Sequence, residues 1–451
     1  MLFRSTWPYA TDYIEGIAIN PTSQVIYTVG GAYSVLTNNY YAGTLLSVNT
    51  NGTPVSGALK VIVGNTGVPF LVFFYGTCVI PTTTDVAVSG TTDVNGNNQG
   101  YVGAWRAKLT GRFLQIVIGP IGASASTTLL GLVSDGINVY CVGTLREVSN
   151  TAYCFITCIN ISTRSVTWQK TLGNGPINFE FFEKIAIDSS NNLYATGSTF
   201  KTASTSDVIL AKYNSSGTLL WQRKLEQASS SIGLGVAVDD DNNVCVVGAV
   251  SVSGASQALV AKLDSNGNII WQRSLGAAGQ TNRFDSVSVD NSNNLYCVGR
   301  TNQNSGTSGD DYLLAKYNSS GVLQWQRTMA GSSFVTNDVC NDVVCDTANN
   351  FYPAGTMYRY NYTYGGYTFD GVFAKLPTNG SLTNTYSLDQ TPLIYATSSL
   401  SDAATGLTST VTTFTDTSTT YPWSVVTSGS GSNNINFYDT PYANNYVTYI
   451  P

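Results

Sequence analysis

The phrase NSSGVLQWQR, Asn318 to Arg327, returns as NSSGTLLWQR at Asn214 to Arg223 and as DSNGNIIWQR at Asp264 to Arg273. Each copy sets a polar turn ending in Gly before apolar residues, a Trp and an Arg, the pattern of a hairpin turn and its return strand. A phrase said three times marks a structural unit, so the unit is sought before the 451 residues are divided into domains.

The unit has a second marker, a Gly closing a short apolar run. It ends QVIYTVG at Gly30, DVAVSG at Gly90, NVYCVG at Gly143, NLYATG at Gly197, NVCVVG at Gly248, NLYCVG at Gly299 and NFYPAG at Gly355. From Gly30 to Gly355 there are six intervals, a period of about 54 residues, which accommodates four strands of about 5–6 residues and their turns. In one unit, SVSV (Ser286 to Val289) alternates as a half-buried strand, and DNSNN (Asp290 to Asn294) supplies turn residues that tolerate left-handed backbone. LYCVG (Leu295 to Gly299) and DYLLAKYN (Asp311 to Asn318) are the second and third strands, and the opening phrase is the last turn and outer strand. Length varies mostly between the second and third strands, as in a fixed scaffold carrying exchangeable loops.

Such units must stack to bury both faces, and seven close into a ring. The expected fold is therefore all-β: a seven-bladed β-propeller of four-stranded antiparallel blades over residues 1–389. DSSNNLYATGST (Asp188 to Thr199), DVILAKY (Asp207 to Tyr213) and GTLLW (Gly217 to Trp221) resemble the bacterial seven-bladed, NHL-like propeller repeat. The resemblance runs from about Phe179 to Lys375 and fades in the first two units; this chain has Asn-Asn where that family has Gly-Asn. It implies a fold and a surface or binding role, and no reaction. AKLDSNGNIIW (Ala261 to Trp271) also resembles the tryptophan-docking repeat of quinone-dependent dehydrogenases, whose secreted, longer, eight-bladed pattern this chain does not follow.

Residues 390–451 leave the repeat. They are Ser/Thr-rich, then aromatic, and are expected to form a β-rich docking extension. Three arrangements fit: a degenerate eighth blade, a strand closing the ring with MLFRSTW, or an arm on a neighbouring subunit.

Composition excludes several functions. The chain has no His, which removes the commonest neutral-pH base and metal ligand and every Ser-His or Cys-His pair. Charged residues are 11% and the formal net charge is −6, so nucleic acid is not an expected partner. No apolar run reaches the roughly 18 residues of a membrane span, and the N-terminal residues lack a signal-peptide pattern. The eight Cys contain no CxxC and read as reduced, buried small hydrophobes.

The repeated Trp221, Trp271 and Trp325, with Trp168 alongside, read as packing between blades, because a stacking platform for a ligand is needed once. Asp207, Asp311 and Asp370 recur likewise and read as structural. VDDDNN (Val238 to Asn243) and DVNGNN (Asp93 to Asn98) are oxygen-rich but lack the twelve-residue calcium loop with its closing Glu. No catalytic, cofactor or metal residue is expected.

The loops that do not repeat are AYSVLTNNYYAG (Ala32 to Gly43) and MYRYNYTYGGYTF (Met357 to Phe369). Ring closure brings the first and seventh units together, so Tyr33, Tyr40, Tyr41, Tyr358, Tyr360, Tyr362, Tyr364 and Tyr367 are expected to form one recognition patch. VPFLVFFYG (Val68 to Gly76) and NFEFFE (Asn178 to Glu183) should open on the same face. A low-charge, Tyr/Asn/Thr/Gly-rich surface with reduced Cys and no leader fits a virion component assembled in a host cytoplasm. The expectation is a non-enzymatic tail protein (fibre, nozzle or adsorption apparatus) that binds other virion proteins, copies of itself, or a host receptor or glycan. The alternative is a bacterial surface or exported propeller binding glycan or protein.

Overall fold

The computed structural model describes residues 2–404 apart from short stretches at 5–9, 35–39, 51–53, 64–71, 95–96, 108–111, 120–124, 150, 174–178, 203–204, 227–228, 304–308, 332–336, 349, 362–365 and 389–390; beyond 404 it describes the backbone of five short strands. Strands form seven antiparallel sheets arranged as the blades of a propeller.

The regular blades show how the repeat becomes structure. Blade 5 runs Ser231–Val238, Val244–Val252, Ala255–Leu263 and Ile269–Gly276, from the axis outward. Blade 6 follows with Asn282–Val289, Leu295–Thr301, Asp311–Tyr317 and Leu323–Gly331, and blade 4 precedes with Glu180–Ile187, Leu193–Thr202, Thr205–Tyr213 and Leu219–Glu226. Blades 1, 2 and 3 begin with Ala10–Ile19, Val72–Val79 and Ser126–Ser134, and blade 7 with Val339–Cys345. The first strand of each blade touches the first strands of both neighbours, and blade 7 meets blade 1, so the ring is closed. There is one apolar core between each pair of adjacent blades; Tyr194, Leu210, Val246 and Leu259, for example, fill the gap between blades 4 and 5.

The repeated Gly has a specific cause. In every blade the innermost strand carries a β-bulge, at Glu15, Tyr75, Leu130, Glu183, Leu234, Asp285 or Asn341. Gly30, Gly90, Gly143, Gly197, Gly248, Gly299 and Gly355 lie beside these bulges, where a Cβ would collide with the inner strand's carbonyl oxygen. The bulge draws the two backbones together and leaves one extra side chain unpaired.

The first turn is held by its Asp. Asp188 Oδ1 accepts the backbone N–H groups of Ser190 and Asn192 at 2.9 and 2.8 Å, and Oδ2 accepts the Asn192 amide and the Tyr194 hydroxyl. Asp290 and Asp346 repeat the scheme with Tyr296 and Tyr352, while Asp239 takes Lys262 Nζ at 2.6 Å where blade 5 has Cys245 in place of Tyr. Asn191, Asn242 and Asn293 stand at φ near +60°, which explains why Asn serves where the related repeat has Gly. Burial opposes ionisation of Asp188, Asp290 and Asp346, but these hydrogen bonds outweigh it and hold their carboxyls below the ordinary range.

The repeated Trp also docks as expected. Trp168, Trp221, Trp271 and Trp325 donate their indole N–H to Ser215, Ser265, Ser319 and Thr378, each in the last turn of the following unit, at 2.9–3.1 Å. The ring lies against that turn's Gly217, Gly267, Gly321 or Gly380, all at positive φ.

Two features differ from the simple ring of four-stranded blades. The fourth strand of blade 7 is Leu2–Arg4, paired with the third strand of that blade, so the N-terminal residues close the circle. The fourth strand is then not the edge of any blade. Thr391–Thr397 adds a fifth strand to blade 6, Ser401–Ala404 to blade 5, Thr408–Val411 to blade 4, Thr415–Ser418 to blade 3, Trp423–Val425 to blade 2, Asn436–Tyr438 to blade 1 and Val447–Thr448 to blade 7. The described C-terminal strands thus extend the seven blades rather than forming an eighth. They run once round the rim against the direction of the blades, pairing an otherwise open edge at every step.

Candidate functional site

The bulges turn a structural repeat into an unrepeated centre. Residues at and just after the bulges meet across the ring, coupling blades three steps apart. Lys184 Nζ of blade 4 lies 3.5 Å from Asp342 Oδ2 of blade 7, spanning the ring. Asp342 also accepts the Ile17 backbone N–H of blade 1 at 3.0 Å and the Ser286 hydroxyl of blade 6 at 2.6 Å, and the Asn341 amide donates to the Ile14 carbonyl at 2.8 Å. Arg283 Nη2 pairs with Asp285 Oδ1 at 2.7 Å, while Asp285 Oδ2 is buried without a hydrogen bond.

Glu15 and Glu183 face this group from blades 1 and 4. Burial within the ring pushes each carboxyl up to about 7; Lys184 opposes the shift at both, and Asp285 adds to it. Glu183 and Asp342 raise Glu15 further, and Arg283 eases Glu183. Asp285 is raised by burial against the pull of Arg283 and Arg300. Both glutamates remain half-buried, so water reaches side chains that protein otherwise surrounds.

A run of five rings leads away from these carboxylates. Tyr75 sits 5.0 Å from Phe73, Phe73 6.2 Å from Tyr13, Tyr13 stacks on Phe369 at 5.8 Å, and Phe369 meets Tyr358 at 4.8 Å. The run crosses blades 2, 1 and 7 without a break. Burial, then Glu15 and Glu183, push the Tyr75 hydroxyl up to about 12, so the run ends beside the two carboxylates.

Of the eight tyrosines picked from sequence, Tyr358 belongs to this run. Tyr33 pairs across the ladder with Tyr41, Tyr40 with Ser34, and Tyr360 with Tyr367. The side chains of Tyr33, Tyr40, Tyr41, Tyr360 and Tyr367, and the whole of Tyr362 and Tyr364, lie outside the described residues. Among the described residues no three Asp, Glu or Cys gather as a metal site, and no helix is long and apolar enough to cross a membrane. All eight Cys are unbridged.

The central carboxylates were missed because Glu15, Glu183 and Asp285 are far apart in sequence and differ in type from the other bulge residues. A signal was present: Ile14 and Ile17, Phe182 and Ile185, and Phe284 and Val287 are spaced by three, a slip in the period of two that marks the bulge.

A propeller-repeat model described as outer membrane protein assembly factor BamB (PQQ_2) matches residues 104–347 and again 204–405. The chain belongs to this family. No curated protein matches. Among solved structures, the chain resembles Sqt1 from Chaetomium thermophilum bound to the N-terminus of a ribosomal protein, at 11% identity and TM-score 0.45, over 86% of this chain and 97% of that one. It also resembles a neuraminidase-like protein of A/little yellow-shouldered bat/Guatemala, at 8% identity and TM-score 0.40, over 83% and 98% of the two chains. A fungal alcohol oxidase in complex with copper matches at 11% identity and TM-score 0.45, over 83% and 75%.

Proposed function

We propose that the protein is a non-enzymatic recognition disc that binds a protein partner at the mouth of the ring over blades 7, 1 and 2. The observation that carries this reading is the aromatic run from Tyr75 to Tyr358, which occurs once among the described residues, whereas the Trp docks, Asp turns and bulge-side Gly residues recur round the ring. Aromatic rings give large contact area at low entropy cost and are favoured at the centres of interfaces.

The setting we infer is a virion, as a tail component made in a reducing host cytoplasm. The low charge, the Tyr/Asn/Thr/Gly-rich composition and the unbridged Cys support it. The family description favours a second reading, an exported propeller at a bacterial envelope. Peptide mass spectrometry of purified particles and of envelope fractions separates the two settings. For the binding reading, a photocrosslinking residue at Phe369 should trap a partner protein during assembly. The same probe at Ile270, 53% exposed on the rim of blade 5, should trap none. Equal capture at both positions would refute the reading.

A further inference from the structure

We propose that the mouth captures one basic side chain, lysine or arginine, presented by the protein partner, with the aromatic run guiding its apolar stem and Glu15 and Glu183 holding its charge. This rests on the binding reading above and deepens it.

The acceptors at the centre are unequally used. Asp342 is filled by Lys184, the Ile17 N–H and the Ser286 hydroxyl, and Asp285 Oδ1 by Arg283. Asp285 Oδ2 has no partner although the residue is only 9% exposed, and the carboxylates of Glu15 and Glu183 make no hydrogen bond or ion pair among the described residues. Four carboxylates against Lys184 and Arg283 leave two negative charges uncompensated when all are ionised, since Arg300, on the second strand of blade 6, is itself paired with Asp310 at 3.2 Å. The bulges of blades 3 and 5 bring Leu130 and Leu234, which add no charge, and blade 2 brings Tyr75.

The acceptors do not converge as a metal would require. Their spread, with aromatic rings on the approach, suits an organic cation: rings attract the cation's face while carboxylates accept its N–H groups. Glu15 and Glu183 lie on opposite sides of the axis, so a cation entering along the axis meets both.

The test titrates full-length protein with the blocked peptides Gly-Gly-Lys-Gly-Gly, its arginine analogue and its norleucine analogue, followed by ligand-observed NMR. The cationic peptides should bind at least tenfold more tightly than the norleucine peptide, and more tightly at pH 8 than at pH 6. Glu15→Gln with Glu183→Gln should weaken the cationic peptides at least tenfold, and Glu226→Gln, on the outer strand of blade 4, should not. A thermal melt confirms that the double variant is folded. Equal binding of the norleucine peptide, or unchanged binding to the folded double variant, overturns the proposal. If crosslinking at Phe369 persists in that double variant, the partner reading stands and the basic-side-chain inference falls. If peptides bind as expected but no partner is trapped at Phe369, the partner reading falls instead.

Discussion

Blades 4 to 6 and blades 7, 1 and 2 are built on one plan and use it differently. In blades 4 to 6 the same Trp reaches the same turn of the next unit, and the first turns keep one Asp scheme in which only the last partner varies. Across blades 7, 1 and 2 there are instead aromatic contacts peculiar to each position, and the fourth strand at the closure comes from the N-terminal residues Leu2–Arg4. The difference teaches that recurrence in a ring marks what every interface needs, and that departure from it shows where one place was made different. Burial alone would not have separated the two, since both regions are well packed.

The most drastic way to break the comparison is to remove residues 391–451. All blades then expose an unpaired edge, regular and irregular alike, and soluble monomer should be lost to association, read by size exclusion with light scattering. Survival of a monodisperse ring would show that the fourth strands protect themselves. Next in size, Gly248→Ala and Gly30→Ala each drive a Cβ into a carbonyl oxygen, and each should cost at least about 3 kcal/mol in urea denaturation. A much milder effect at Gly30 would mean that the closing side of the ring yields where the regular side does not.

Smaller effects sharpen the contrast. Trp271→Ala removes a ring seated on Gly321 and its hydrogen bond to Ser319, and should cost about 2–4 kcal/mol. Phe369→Ala, in a half-buried run, should cost about 1 kcal/mol while abolishing partner capture by a crosslinker moved to the neighbouring Tyr358. A large stability loss from Phe369→Ala would reassign the run to packing.

The smallest expected effect is on pH dependence. Glu15 and Glu183 titrate near 7 in the ring against 4.5 as ordinary carboxyls, so the folded state holds their protons more tightly than the unfolded chain. Their contribution is full below about pH 4.5 and is lost as pH rises through 7, on the order of 1–2 kcal/mol each, discounted for the water that reaches them. The turn aspartates act oppositely: their lowered values give stability above 3.8 that is lost as pH falls through the folded value. Urea midpoints should therefore fall from pH 5 to pH 8, and Glu183→Gln should flatten that slope. An unchanged slope would mean that water compensates the central carboxylates.

The ring was legible because its markers carry backbone requirements. A Gly beside a bulge, an Asx turn before a strand and a Trp seated on a Gly each demand a particular residue, so all leave a trace at a fixed spacing. The carboxylate centre was legible only in part. The slip of phase at Phe284 and Val287 reveals a bulge, but which bulges converge on one point depends on the closed ring. The rim strands left almost no trace. They are two to seven residues long, such as Val447–Thr448 and Thr391–Thr397, and each joins a blade edge far away in the chain, although Thr391–Thr397 also pairs locally with Asn384–Leu388. A Ser/Thr-rich segment with those demands looks like a linker.

The strand that circles the rim also acts as a gauge. It meets blades 6, 5, 4, 3, 2, 1 and 7 in that order and completes its last pairing on Leu2–Arg4, the same strand that closes blade 7. A ring assembled with one blade too few or slipped by one unit would leave a rim segment without an edge and an edge without a segment. In ordinary repeat arrays each unit senses only its neighbours, so a miscount costs little at any one interface. Here a single pass compares the number of edges with the number of strands made to fit them, and the mismatch is felt by the whole circle.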